Sequence, residues 1–334
     1  ISLDLTFYFK VKKTYSNVIA TKFQVDTPWK RKWPFRWERK IKAFPRCKKL
    51  STGALYEETG HLIYDSIRKG GVDGDFVVSI APIVIDSEIP ICEKIEGKSA
   101  FLGNLYSQYG HFITEGLSRL CDFKALNDYD HLLFYPFIFD HGKTELKNYH
   151  KFFFDKLGID SSKVQFLTNL ARIENVTVYR QLWTLNYQVD SRVSSLYEVL
   201  RQIDLDEKVE GQRIYLTRKE STRVGNLEEI ERVFKENSFL VFHPEDLTMD
   251  QQLAIYRGGN TIVSLAGSTL HNMLFGGSET YFIELGDSRS LEYPHKMQQM
   301  INKMAISKYR FIQFQTNGDN NWDVDRLKDI INRL

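Results

Sequence analysis

From Arg213 to the end, the chain alternates short apolar runs with amphipathic stretches. Runs of four or five β-branched and aromatic residues predict strands, and apolar positions spaced i, i+3, i+4 predict helices. Strand Arg213–Thr217 precedes helix Leu227–Glu236, and strand Phe239–Phe242 precedes helix Asp250–Tyr256. Strand Thr261–Leu265 precedes helix Thr269–Phe275, with Ser268 or Thr269 as N-cap. Strand Tyr281–Leu285 then leads to helix His295–Met304, and strand Phe311–Phe314 to helix Val324–Leu334. Consecutive strand–helix units predict a parallel sheet with helices on both faces, an α/β class.

The first part of the chain is less regular. Alternation over Leu3–Val11 and the apolar run Phe76–Ile85 predict strands. Asn104–Asn127 reads as one long helix, followed by strand His131–Phe137 and helix Glu145–Leu157. Strands Val164–Leu167 and Val176–Tyr179 and helix Arg192–Ile203 complete it. The polar run Asp204–Gln212 has no apolar period and marks a boundary, dividing the chain into domains 1–205 and 206–334.

Parallel sheets bind ligands at the carboxyl ends of their strands. Those ends carry Arg218 and Lys219, then His243, then Gly267, Ser268 and Thr269, and last Glu284. A strand, a small-residue turn and a helix N-terminus present free N–H groups to an anion. With two cations and a carboxylate nearby, the edge suits a nucleotide diphosphate. A plain strand-to-helix junction has the same local pattern. Asn226, three residues before Glu229, equally fits an N-cap, and Thr248 with Gln251 fits a capping box.

His111, Glu115 and Arg119 recur at i, i+4, i+8 on the predicted long helix. A carboxylate beside an imidazole can orient it for general-base work. The competing reading is an exposed Glu115–Arg119 salt bridge with His111 at the surface. Asp128-Tyr129-Asp130 reads as a turn entering a strand rather than a metal site.

Composition adds one asymmetry to a net charge of +2. Between Pro28 and Lys49, Lys30, Arg31, Lys32, Arg36, Arg39, Lys40, Lys42, Arg46, Lys48 and Lys49 face Glu38 alone, interleaved with Trp29, Trp33, Phe35, Trp37 and Phe44. Such a stretch suits an anionic membrane surface or a nucleic acid. It equally suits a solvated loop. No apolar run reaches the ~18 residues of a membrane span, and no signal-peptide pattern is evident. Cys47, Cys92 and Cys121 are widely spaced, which argues against a disulfide framework or zinc site and for a reducing compartment. No Gly-x-Gly-x-x-Gly and no P-loop opens any unit, which argues against a dinucleotide-binding dehydrogenase and a P-loop ATPase.

Several blocks together resemble the family 61 glycosyltransferases. Tyr109-Gly110-His111-Phe112, with Glu115 and Arg119-Leu120, is similar to the family's His-aromatic helix. Arg213–Arg218, followed by Arg223 and Asn226, resembles its Tyr-[Leu/Ile]-Ser-Arg…Arg…Asn block. Leu247-Thr248 through Gln252 to Tyr256 matches another segment. Gly267-Ser268-Thr269-Leu270-His271-Asn272 is similar to the Gly-[Ala/Ser]-x-Leu-x-Asn signature, and Phe282–Leu285 to the strand after it. Two positions depart: Ala266 stands where many members have His, and Leu227 where an acidic residue is common.

The resemblance implies a GT-B architecture, two Rossmann-like domains with parallel sheets facing across a cleft. It implies inverting transfer from a nucleotide-sugar donor, here expected to be UDP-linked, with no cofactor and no bound metal. His111 would be the base, with Glu115 as its orienter or as the base itself. Arg218, Lys219, Arg223, Asn226, His243, Gly267, Ser268, Thr269, Asn272 and Glu284 would hold the donor. The acceptor would be a saccharide or lipid-linked glycan in bacterial capsule or O-antigen assembly. The enzyme would be cytoplasmic, docked on the inner membrane through segment 28–49, without nucleic acid. The alternative is a non-catalytic scaffold that binds nucleic acid or membrane through that segment.

Overall fold

A computed structural model describes residues 11–21, 53–72, 75–78, 81, 84–137, 144–220, 224–286, 292–314 and 320–333. The basic-aromatic segment 28–49, Arg223 and nearly all of the expected strand Leu3–Val11 lie outside these residues. The chain divides into two compact units, Ile1–Leu196 and Tyr197–Leu334. Both are mixed α/β, with sheets rich in parallel strands. No helix among the described residues is long and apolar enough to cross a membrane.

The first unit is built on a six-stranded sheet. Its strands are β1 (Lys12–Thr21), β2 (Ala54–Tyr56), β5 (Glu93–Leu105), β6 (His131–Pro136), β7 (Val164–Phe166) and β8 (Ala171–Tyr179). Their order is β2-β1-β8-β5-β6-β7. β8, β5, β6 and β7 run parallel, whereas β1 is antiparallel to β8 and β2, so this sheet is mixed. One face packs Val18, Ile95, Phe101, Leu133, Tyr135, Ile173 and Val178 into a core. Two small antiparallel pairs, β3 (Lys69–Val72) with β4 (Asp75–Val78) and β9 (Trp183–Thr184) with β10 (Gln188–Val189), form separate sheets. Of the run expected as a strand over Phe76–Ile85, Phe76–Val78 lies in β4 and Val84 makes an isolated bridge to His61, while residues 79, 80, 82 and 83 lie outside the described residues.

The helix expected over Asn104–Asn127 is the main revision. Asn104 and Leu105 end β5, and the chain turns at Tyr106-Ser107 before coiling. Tyr109–His111 is one α-turn, Phe112–Gly116 a π-turn and Leu117–Arg119 a 3₁₀ turn. The Leu117 N–H reaches the Phe112 carbonyl, the i→i+5 bond of a π-turn. Thr114 Oγ1 donates to the Gly110 carbonyl and Ser118 Oγ to the Glu115 carbonyl, both at 2.7 Å. Hydroxyls that bond back in this way compete with the regular ladder.

The second unit is the parallel sheet the pattern predicts. Its strands are β11 (Arg213–Leu216), β12 (Leu240–Phe242), β13 (Thr261–Leu265), β14 (Tyr281–Leu285) and β15 (Lys308–Ile312). Their order is β12-β11-β13-β14-β15, and every pair is parallel. The last strand sits three residues earlier than the apolar run Phe311–Phe314 suggests; Phe314 packs against Trp322 instead. Strands buried on both faces need nearly continuous apolar sequence, which Ile214–Leu216, Ile262–Val263 and Phe282–Ile283 supply. Helices Leu227–Glu236 and Val324–Ile331 contribute Ile230, Val233, Phe234, Leu327 and Ile331 to the core on one face. Helix Met249–Gly258 starts in the expected capping box: Thr248 Oγ1 accepts from the Gln251 N–H, and Gln251 Oε1 from the Thr248 N–H.

A bulge in β5 places Gly103 at φ +80°, with the Arg119 side chain in the space a β-carbon would need. Gly103→Ala is expected to lower unfolding free energy by about 1–2 kcal/mol from the left-handed backbone alone. Urea denaturation measures this, and an unchanged midpoint would contradict the assignment.

Candidate functional site

The first unit concentrates its polar chemistry where the parallel strands end. β5 is followed by Tyr106 and the helix carrying His111 and Glu115, β6 by Phe137, and β8 by Gln181. Helix Asn148–Lys156 fixes the launching turn. Tyr149 donates to the Ser107 carbonyl at 2.5 Å, and His150 Nε2 pairs with the Tyr106 carbonyl at 2.8 Å. His150 Nδ1 accepts from the Lys147 N–H, so its proton sits on Nε2.

Glu115 is 0 % exposed, yet it has four donors. Arg68 approaches as a fork, Nε to Oε1 at 3.0 Å and Nη2 to Oε2 at 2.9 Å. His111 Nδ1 lies 2.6 Å from Oε2, Gln181 Nε2 donates to Oε1 at 3.3 Å, and the Tyr106 hydroxyl reaches Oε1 at 3.5 Å. Gln181 is itself locked, accepting from the Lys69 N–H and donating to the Lys69 and Trp183 carbonyls. Burial opposes ionisation of Glu115, but Arg68 and then His111 outweigh it and hold the carboxyl below its usual range. Burial, and then the Glu115 charge, push the Tyr106 phenol up, so it remains a donor.

His111 keeps 27 % of its side chain exposed. Its ring stacks on Tyr106 (5.9 Å, 29°) and lies 6.0 Å from Phe137. The Arg68 guanidinium stands 5.3 Å from each of the same two rings. The same residue spacing thus yields neither an exposed ion pair nor an accessible Glu115. Arg119 turns the other way, buried, and donates to the backbone carbonyls of Asp65, Ile67 and Tyr179. Arg68 and Gln181 are the residues sequence reasoning missed. Arg68 lies 47 positions from Glu115, and no local spacing connects them.

In the second unit, the strand order reverses between β11 and β13. A crevice outside the carboxyl ends at such a point is where ligands of open parallel sheets bind. Arg218 follows β11 and Gly267 follows β13, and the two meet there. Gly267 has φ +154°, and the Arg218 guanidinium fills the space a β-carbon on it would take. Gly267, not Ser268 or Thr269, is the N-cap, and the coil that follows, Ser268–Phe275, is a 3₁₀ helix. Ser268 is exposed and Thr269 half-buried. Tyr256 props this turn from beneath, donating to the Thr269 carbonyl at 2.8 Å, and its hydroxyl also bonds the buried Asn272 side chain.

The other expected donor residues have these partners within the chain. Lys219 pairs with Asp246 at 2.5 Å on the surface, joining the loops after β11 and β12. His243 Nε2 lies 3.1 Å from Glu231. Asn226 occupies the N-cap position without a capping bond; its side chain clasps both backbone groups of Trp322 and reaches Glu229. Glu284 is 1 % exposed inside β14, where the Tyr309 hydroxyl donates to it. Of the expected residues, Arg218 and the Gly267–Thr269 turn come together at the carboxyl ends of β11 and β13. Asp128-Tyr129-Asp130 is the turn into β6, with Asp130 accepting from the Lys98 N–H. Among the described residues, no group of three or more His, Cys, Asp or Glu side chains is placed to hold a metal.

Because the Glu115 carboxyl is held low, its ionised form contributes stability above the ordinary glutamate pKa. That contribution is lost as pH falls through the depressed folded value. Stability followed by urea denaturation from about pH 7 to pH 3 should therefore fall less steeply in Glu115→Gln than in the wild type; parallel curves would contradict this.

No curated protein matches the chain. A family model, Glycosyltransferase 61, matches residues 109–283, more than half of the sequence. The match opens at the turn that carries His111 and takes in Arg218 and the Gly267 turn. The chain therefore belongs to the glycosyltransferase 61 family.

Proposed function

We propose that this glycosyltransferase transfers a sugar with inversion from a nucleotide-sugar donor, UDP-linked, to a saccharide or lipid-linked glycan acceptor. The setting we propose is assembly of a bacterial surface polysaccharide, capsule or O-antigen. In this reading the two units are the acceptor and donor halves of a GT-B enzyme. The observation that carries it is His111, partly exposed, with Nδ1 at 2.6 Å from a buried and ionised Glu115.

Glu115 fixes the proton on Nδ1 and leaves the Nε2 lone pair to accept another. Nε2 takes the acceptor hydroxyl proton as that oxygen attacks the anomeric carbon from the face opposite the diphosphate. The bond from that carbon to the phosphate oxygen breaks, and its electron pair leaves with the diphosphate. Arg218 and the N–H groups at Gly267–Thr269 meet the charge that develops there. Glu115 has no solvent-facing surface and a low pKa, so it serves as orienter and His111 as base.

The test separates the two halves. His111→Asn should lower turnover of a UDP-sugar by about 100-fold or more, with the thermal shift produced by UDP unchanged. Arg218→Ala should lose that shift. Near-normal turnover in His111→Asn would remove the base from the mechanism, and an undiminished UDP shift in Arg218→Ala would remove the donor edge.

A further inference from the structure

The Arg68–Glu115 pair is more than a buried ion pair of convenience. A desolvated pair rarely outperforms apolar residues of the same volume, so its presence is weak evidence for stability. Here the pair opens on its exposed side to His111, and that geometry is specific. The Arg68 fork takes both carboxylate oxygens, one of which is also the partner of His111. The Arg68 guanidinium and the His111 ring both lie against the rings of Tyr106 and Phe137, so the two planes are set by the same surfaces. A lysine would supply the charge without the fork.

We propose that Arg68 is a positioning residue for His111: it shares the Glu115 carboxylate, so that Glu115 can orient the imidazole without drawing a proton onto the pair at neutral pH. This rests on the reading of His111 as base. Arg68 lies outside the matched residues 109–283. With Arg68 in place, His111 and Glu115 together face a fixed positive charge that opposes uptake of a second proton. The surrounding groups are accounted for. Glu115 and Arg119 lie on the same helix, and Tyr106 follows β5. Gln181 follows β8. Asp65 and Lys69 flank Arg68 and pair with each other at 2.5 Å. Arg119 is spent on backbone carbonyls, so among the described residues Arg68 is the guanidinium in contact with the carboxylate.

Proton uptake by the His111–Glu115 pair can be followed by NMR of the imidazole carbons, with the His111 signal assigned by its loss in His111→Asn. The experiment needs no substrate. In Arg68→Gln the pair should bind its proton about one pH unit higher than in the wild type, whichever partner carries it. Arg68→Lys, which keeps the charge and loses the fork, should show a smaller shift in the same direction. An unmoved midpoint in a folded Arg68→Gln protein overturns the proposal. If that variant does not fold, an unmoved midpoint in Arg68→Lys overturns it. Failure of His111 as the base would show separately, as retained turnover in His111→Asn. The two ideas can therefore fall independently.

Discussion

A carboxylate with no contact with water must be given its donors by the protein, and that requirement organises the first unit. Leaving an ionised group buried and unpaired costs several kcal/mol or more. Glu115 is served by Arg68 from the approach to β3, Tyr106 from the end of β5, Gln181 from the end of β8 and His111 from its own helix. Each of these must be held in turn. The α-helix at Asn148–Lys156 pins the Tyr106 turn, Gln181 is clamped to the Lys69 and Trp183 backbones, and the bulge at Gly103 admits Arg119. The polar burial gathered here has a chemical product, an imidazole with Nδ1 engaged and part of its side chain exposed.

Both units apply the same topological rule. Each places its polar groups beyond the carboxyl ends of parallel strands, where side chains and backbone N–H groups converge without breaking a ladder. In the second unit the place is the reversal of strand order between β11 and β13, where Arg218 lies on Gly267. In the first it is the end of β5, flanked by β6 and β8. The residues beneath the Arg218–Gly267 edge support it: Tyr256 bonds the Thr269 carbonyl and Asn272, and Ser264 Oγ ties β13 to the Leu216 carbonyl.

The second unit is largely legible because its central strands, β11, β13 and β14, are buried on both faces and its amphipathic helices on one. Burial of that kind writes an unbroken apolar run beside a 3.6-residue period. The first unit hid its central strand. Glu93–Leu105 begins with Glu93, Lys94, Glu96 and Lys98 at its exposed end, and a bulge at Gly103 shifts its register. Without that strand, Asn104 and Leu105 were read into a helix. Candidate site residues fared according to what holds them. His111 and Glu115, four apart on one coil, were found together, whereas Arg68 could be joined to them only by the fold. Asn226 is expected at the donor from the family resemblance, and Glu284 from its place at the end of a parallel strand. In the fold the Asn226 side chain bonds the Trp322 backbone and Glu284 accepts from Tyr309, partners far along the chain that no local pattern announces.

The central claim is that Glu115 holds one imidazole nitrogen and leaves the other bare. The most direct measurement is the tautomer of His111 in the resting protein, read from its two ring nitrogen shifts in a long-range nitrogen–proton correlation spectrum near neutral pH. The account predicts a neutral ring protonated at Nδ1 with a bare Nε2. A neutral ring with its proton on Nε2 would contradict it, since the lone pair proposed to receive the acceptor's proton would then be turned into the protein.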